Sequence, residues 1–372
     1  MEAKILNTKF EVIDIVDRFT SFIWTDRYRE RGDFELILPL DDYTLSKLSN
    51  IVLDYYVVTD NSEHAMIIEG YLASSNLSDG PALKVVGYSL ETILSRRIIW
   101  DITTLSGNLQ DGIEELINRS IIAPNLSERK IDNFIFERST DPRITSLTID
   151  TKYEQHEYLY DAIVAVCDEK DIGFKIVLKL VNGEYKFVFS LYKGEDRSYA
   201  QSEHPYVVFS PSFENLSESS YLENQQDYKN VCYTTAEDMD TRIKGTDNYA
   251  TVSRVVGTAT GLNRRETFAD SGSIESENAK NKLSDADKQN ILEQKANEAL
   301  AEAKRQLAMD GAVDPYAMYI YGRDFFMGDR VQIENEMGIK GHSSISEYIM
   351  SEDANGYTSY PTFTDFELEE SE

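Results

Sequence analysis

Asn182-Gly183 stands between two runs in which apolar residues alternate: Phe174, Ile176, Leu178 and Leu180 before it, Tyr185, Phe187, Phe189 and Leu191 after it. A period of two puts the apolar side chains of a strand on one face. Asn-Gly supplies the two positive φ angles of a type I′ turn, so the segment is predicted to be an antiparallel hairpin. The alternation recurs from Phe10 to Leu38, in FEVIDIV and FELILP, with a break from Arg27 to Gly32. It recurs again in IVLDYYVVT and AMIIEGYLAS, where the intervening Asp60, Asn61 and Ser62 favour a tight turn. With 23 Tyr and 16 Phe in 372 residues, the chain reads as mainly β.

Helical spacing interrupts this pattern at four places. Ser89 is a candidate N-cap for a short helix carrying Leu90, Ile93 and Leu94. Leu109, Ile113, Leu116 and Ile117 mark a second helix, and Leu159, Ile163, Val166 and Cys167 a third. Ser284 and Asp287 form a capping-box pattern ahead of a stripe of Leu292, Ala296, Ala299, Leu300, Ala303 and Leu307, which Gly311 and Pro315 are expected to end. Strands resume in YVVFSPS, NVCYTT and ATVSRVVGTAT, then in MYIYGRDFFMGDRVQI and SSISEYIM. No repeat of fixed period is present, which removes solenoids and propellers.

A length of 372 residues suggests two or three domains. The expected organisation is a β-rich domain over 1–98, an α+β insertion over 99–204 and a second β region over 205–270. A linker and amphipathic helix follow over 271–315, with polar Asp270 to Asn281 as the exposed part, then closing strands over 316–350. Lys340 is the last basic residue, so 351–372 reads as an acidic, solvent-facing tail.

The chain carries 66 acidic and 37 basic residues, a formal net charge of −29. That balance repels phosphate backbones and anionic membrane, and argues against nucleic-acid affinity by counterion release. Solubility is one reading of the charge; a passage through which DNA slides without sticking is another. Cys167 and Cys232 are the two cysteines, too few for a disulfide framework. The opening MEAKILNTKFEVID lacks the apolar core of a secretory signal, so synthesis and folding in a reducing cytoplasm are expected.

Catalytic signatures are missing. His64, His156, His204 and His342 are scattered, without the paired spacing of a metal site. Close carboxylates occur everywhere in so acidic a chain and single out no glycosidase pair. No phosphate loop, dinucleotide fingerprint or nucleophile elbow is found. No catalytic, cofactor or metal residue is therefore nominated, and no enzyme activity is expected. Arg27, Arg29 and Arg31 stand out against the acidic background, as do Arg96 and Arg97. The first three would form a positive rib if they alternate on one strand. That rib would be either a partner for Glu30 and Asp33 or a docking surface for an acidic neighbour.

Three segments carry a family resemblance: FIWTDRYRERGDFELILP at 22–39, VVGYSLETILSRRIIW at 85–100, and GLNRRETFAD at 261–270 through to YGRDFFMGDRVQI at 321–333. In order and spacing they resemble the phage tail hub family, the siphophage tail-associated hubs and Gp37-like tail proteins, similar also to the central hub of contractile baseplates. The resemblance implies two tube-like β-barrel domains, an inserted α+β domain and a peripheral helix. The second barrel would use 205–270 and 316–350. It further implies a homotrimer whose six barrels match a ring of distal tail or tail-tube protein. A channel would conduct DNA during ejection, with the tape-measure protein and receptor-binding tip proteins as neighbours, in the tail tip or baseplate of the virion. DNA would pass without specific contact, and stable membrane binding is not expected.

Within those segments, Gly87 and Gly328 are expected at turns, Gly328 followed by Asp329, and Trp24 in packing. Arg96, Arg97, Arg264, Arg265 and Glu266 are expected in ion pairs. Many relatives continue into a wall hydrolase or host-binding module, whereas this chain ends at Glu372, so those activities are expected on other chains. Two alternatives stay open: a tail-associated cell-wall hydrolase of glycosidase type, and a receptor-binding protein that holds carbohydrate on Tyr-rich strands.

Overall fold

A computed structural model describes residues 1–60, 62–77, 80–153, 155–275, 283–314 and 318–369. The chain is mainly β with a few helices. It divides into two units, Met1–Ser220 with Met309–Glu372, and Tyr221–Ala308. These limits fall at other places than the boundaries read from composition.

The larger unit is organised by one twelve-stranded sheet. Its path runs from Asp196–Arg197 through Arg330–Glu334, Lys340–Asp353, Ser21–Arg27, Asp33–Pro39, Gly80–Ser89, Ala65–Leu77, Tyr56–Val58 and Ala3–Leu6 to Val12–Val16. Val208–Phe209 also pairs with Arg330–Glu334, and Gly356–Leu368 with Lys340–Asp353. FELILP alternates buried and half-buried positions as its pattern requires. Register then lines up Met350, Trp24, Phe34, Gly87 and Ile68 across five strands. Trp24 and Phe34 are enclosed and stack at 6.0 Å; each buried aromatic contributes roughly 1.5–3 kcal/mol.

The hairpin around Asn182-Gly183 is present as Gly173–Val181 paired with Glu184–Tyr192, and both turn residues have positive φ, 53° and 84°. Helices Leu109–Ile117 and Leu159–Lys170 bury the faces expected of them. Their core is continuous with the large sheet: Leu109, Ile113, Ile163, Cys167, Phe174 and Phe189 share one cluster with Ala65 and Ile67. The inserted α+β layer therefore has no core of its own.

In the smaller unit, Val231–Arg242 pairs antiparallel with Tyr249–Val256 and parallel with Glu266–Ile274. Helix Asp285–Glu302 begins at Ser284 with the predicted capping box. Leu292 packs with Ala236 and Ile274, and buried Lys288 holds buried Asp238 at 2.7 Å.

Several expectations are corrected. Among the described residues, the strand pairing of the large sheet contains no closing pair between the ends of its path. The strands of 330–353 join the sheet of the first hundred residues, while Val231–Arg242 and its neighbours form a sheet apart. Residues Gly356–Leu368 form a thirteen-residue strand and not a loose acidic tail: alternate burial of Ser359 and Pro361, with Phe366 further on, outweighs the surface charge. Residues 370–372 lie outside the described residues.

Ser89 caps no helix; it ends a strand, and its Oγ accepts from the Gly32 amide at 2.8 Å. The last helix stops at Glu302, because Gln306–Val313 is drawn into pairing with Leu216–Asn224. Leu307 and Gly311 thus belong to a strand, and Pro315 is outside the described residues. Asp270 to Ile274, read as linker, complete a strand; 276–281 are not described, nor is Asn61 of the turn between Tyr56–Val58 and Ala65–Leu77.

Candidate functional site

Tyr28 follows directly on the Ser21–Arg27 strand, and its amide donates to the Ser346 carbonyl at 2.9 Å. Its ring is 4% exposed and rests against bare backbone. A Cβ added at Gly173 or at Gly328 would stand 2.3 Å from Tyr28 Cε2. Tyr192 meets the ring edge-on at 5.3 Å. A Cβ on Gly194 would fall 2.0 Å from the Gly328 carbonyl, so these two glycines touch main chain to main chain. Burial pushes the Tyr28 phenol well above its ordinary pKa.

Asp329, 1% exposed, anchors the same junction. It accepts from the Glu195 amide at 2.7 Å, the Phe326 amide at 2.9 Å and Arg197 Nε at 2.6 Å. Burial raises its carboxyl pKa in spite of these donors. Glu195 in turn receives Arg143, whose guanidinium also clasps Asp141 at 2.6 Å.

The arginines of 27–31 surround this junction, but not as a rib. The strand ends at Arg27, and Arg29 and Arg31 lie in the connection, where side chains no longer alternate. Arg27 pairs with Asp33 and, at 2.5 Å, with Glu347. Burial opposes its charge, yet those two carboxylates hold its pKa above the ordinary value. Arg29 bonds Asp171 and approaches Asp365 at 3.4 Å. Arg31 lies over the Tyr88 ring at 4.0 Å. All three are engaged within the chain.

Trp24 donates from Nε1 to Asp26 at 2.9 Å in the core. Gly87 is not at a turn: it sits mid-strand, where a Cβ would lie 1.9 Å from the Ile67 carbonyl oxygen and 2.6 Å from Phe34. Gly328 does occupy a turn-like conformation, with φ of 83°. Arg96 pairs with Glu69 and Asp54. Arg97 has no ion pair among the described residues; it donates to the carbonyls of Arg96 and Arg129. In the smaller unit Arg264 pairs with Glu266 at 2.6 Å, whereas Arg265 bonds Gln225 and lies over Tyr228.

Tyr28, Gly194 and Arg197 were not singled out from sequence. One signal was available: Gly194-Glu-Asp-Arg197 echoes Gly328-Asp-Arg330, and the two segments pair in parallel. Among the described residues no group of three His, Cys, Asp or Glu is placed to hold a metal ion, and no helix is long and apolar enough to cross a membrane. The junction packs segments that are far apart in sequence against one another.

Besides the short Asp196–Arg197 and Val208–Phe209, two longer strands of the large sheet pair with one neighbour alone among the described residues. Val12–Val16 bonds only to Ala3–Leu6, and Gly356–Leu368 only to Lys340–Asp353. Val12, Ile13 and Ile15 are 56%, 36% and 43% exposed on the first of these strands.

The family model of the Siphovirus ReqiPepy6 Gp37-like proteins matches residues 2–363. The chain belongs to this family. Its fold is also that of three solved proteins. A tail protein from Neisseria meningitidis MC58 is 13% identical with a TM-score of 0.57, covering 98% of this chain and 96% of that one. The prophage MuSo2 43 kDa tail protein from Shewanella oneidensis is 11% identical with a TM-score of 0.56, covering 98% of each chain. The prophage tail protein gp18 from Listeria monocytogenes EGD-e is 12% identical with a TM-score of 0.52, covering 98% and 95%. No curated protein sequence matches. Family and fold thus agree with a tail protein, the class that the three motif segments resemble.

Proposed function

We propose that this chain is a structural hub of a phage tail tip or baseplate, a homotrimer that caps the tail tube and lets DNA pass at ejection. Membership of a siphovirus protein family and the fold of prophage tail proteins support the tail role. The observation that supports the assembly is that two different strands of the large sheet, Val12–Val16 and Gly356–Leu368, each pair with one neighbour alone among the described residues. A free edge is a ready template for another chain. Two different edges on one subunit make a head-to-tail contact, which closes as a ring when the rotation fits.

On this reading the tube-like barrels expected from sequence are completed between copies. The ring would sit against distal tail or tail-tube protein, with the tape-measure protein and receptor-binding tip proteins as further neighbours. The net charge of −29 suits a passage that repels DNA phosphates. The protein would be made in the host cytoplasm and act in the virion, with no catalysis of its own.

A mass measurement in solution tests the proposal. A trimer is expected; a monomer that stays monomeric across concentration and with tail-tube protein added would overturn it. Incubation with host cell wall should release neither sugar nor peptide.

A further inference from the structure

A concave pocket of about 610 Å³ opens beside helix Leu109–Ile117, and none of its lining residues belongs to the Tyr28 junction. That volume lies in the range of small-ligand sites. Trp100, Asp101, Arg119, Ser120, Asn125 and Arg129 contribute to its lining.

The two tryptophans of the chain are used in opposite ways. Trp24 is fully enclosed, whereas Trp100 is 47% exposed at the pocket. A half-exposed indole in a concave site offers a flat apolar surface with a polar rim. Around it stand Asp101 and Asn125, which accept and donate hydrogen bonds.

Ser120 is 3% exposed and stands in the pocket lining, where its hydroxyl can donate or accept a hydrogen bond. Ser120 lies in the π-helical turn Asn118–Ile122, a widened geometry frequent at functional sites.

Arg129 supplies the charge. Its guanidinium lies 4.7 Å from the Trp100 ring centre and donates to the Ile98 carbonyl at 2.7 Å. Burial lowers its pKa and the nearby Asp101 carboxylate partly offsets that, without a direct ion pair to Arg129 among the described residues. Arg119 is held by Glu115 at 2.5 Å. With two arginines and one aspartate, the pocket lining lacks the carboxylate excess of a chain whose net charge is −29. A planar guanidinium with no carboxylate in direct contact suits a carboxylate in two-point contact.

We infer that this pocket binds an acidic saccharide. One apolar sugar face would meet Trp100, its hydroxyls would meet Asp101, Asn125 and Ser120, and its carboxylate would meet Arg129. No bond is made or broken.

The test uses the full chain and a disaccharide of glucuronic acid and N-acetylglucosamine. Its neutral counterpart, with glucose in place of the uronic acid, and acetate alone are the comparators. Trp100 is the exposed fluorophore, while enclosed Trp24 reports that the fold is intact. The acidic disaccharide is expected to give a saturable change in emission and to shield Trp100 from acrylamide. Arg129→Gln should weaken it about tenfold, the worth of one charge-assisted hydrogen bond, and bring its affinity close to that of the neutral sugar. Ser120→Ala should weaken both sugars to a smaller extent. Absence of saturation with the acidic sugar, unchanged affinity in the well-folded Arg129→Gln variant, or acetate binding as tightly as the disaccharide would each overturn the inference.

Discussion

Gly328 turns its backbone onto the ring of Tyr28 so closely that a Cβ would stand 2.3 Å from Cε2, and it does so at φ of 83°. Both constraints act on a substitution. Gly328→Ala is expected to lower unfolding free energy by about 2–4 kcal/mol, adding overpacking to left-handed strain. Gly183, at φ of 84° with open space around it, isolates the strain: Gly183→Ala should cost about 1 kcal/mol. Denaturant midpoints of the two variants decide whether contact with Tyr28 contributes.

Lys288 and Asp238 form a buried pair in the smaller unit. Lys288→Ala leaves a carboxylate in the core without its cation, at a cost of about 3–5 kcal/mol. Hydrogen exchange should show the Val231–Arg242 amides losing protection while those of Gly173–Val181 keep theirs. Equal loss in both segments would contradict a local role.

Acid stability carries two opposite contributions. Hydrogen bonding from Arg143 holds the Asp141 carboxyl below its ordinary 3.8, so its stabilisation is full above that value and is lost as pH falls through the folded pKa. Burial places Asp329 above 3.8; its contribution is present at low pH and lost as pH rises through the folded pKa. Asp141→Asn should therefore flatten the fall in stability from about pH 5 to about pH 2, and Asp329→Asn should steepen it. Urea midpoints across that range provide the check.

The exposed edge Val12–Val16 offers a test of assembly that spares the core. Ile13→Lys and Ile15→Lys place charge where a second chain would pair, a known guard against edge association. The variants are expected to stay folded by circular dichroism and to sediment as monomers.

Turn chemistry and alternation are local properties, and elements that depend on them were legible: the Asn182-Gly183 hairpin, FELILP and the Ser284 capping box. Elements decided by distant partners were not. The helix after Ser284 stops early because 306–313 pair with 216–224, and no nearby residue signals that. The final strand was hidden by its own acids, although TSYPTFTDF carries aromatic and β-branched residues that suit a strand. The Tyr28 junction joins residues 28, 173, 194 and 328, separations at which a single sequence shows no periodicity. The family motifs were readable as signatures, yet their roles differ: Gly87 makes room for a neighbouring strand, and Arg97 serves carbonyls.

The chain leaves the larger unit along Leu216–Asn224 and returns along its pairing partner Gln306–Val313, with the Asp314 amide on the Asn215 carbonyl at 3.2 Å. Departure and return are therefore neighbours. A short turn joining those two positions would excise everything between them without breaking the large sheet. One internal deletion in the gene would therefore remove this cassette and leave the strands of the large sheet in their order.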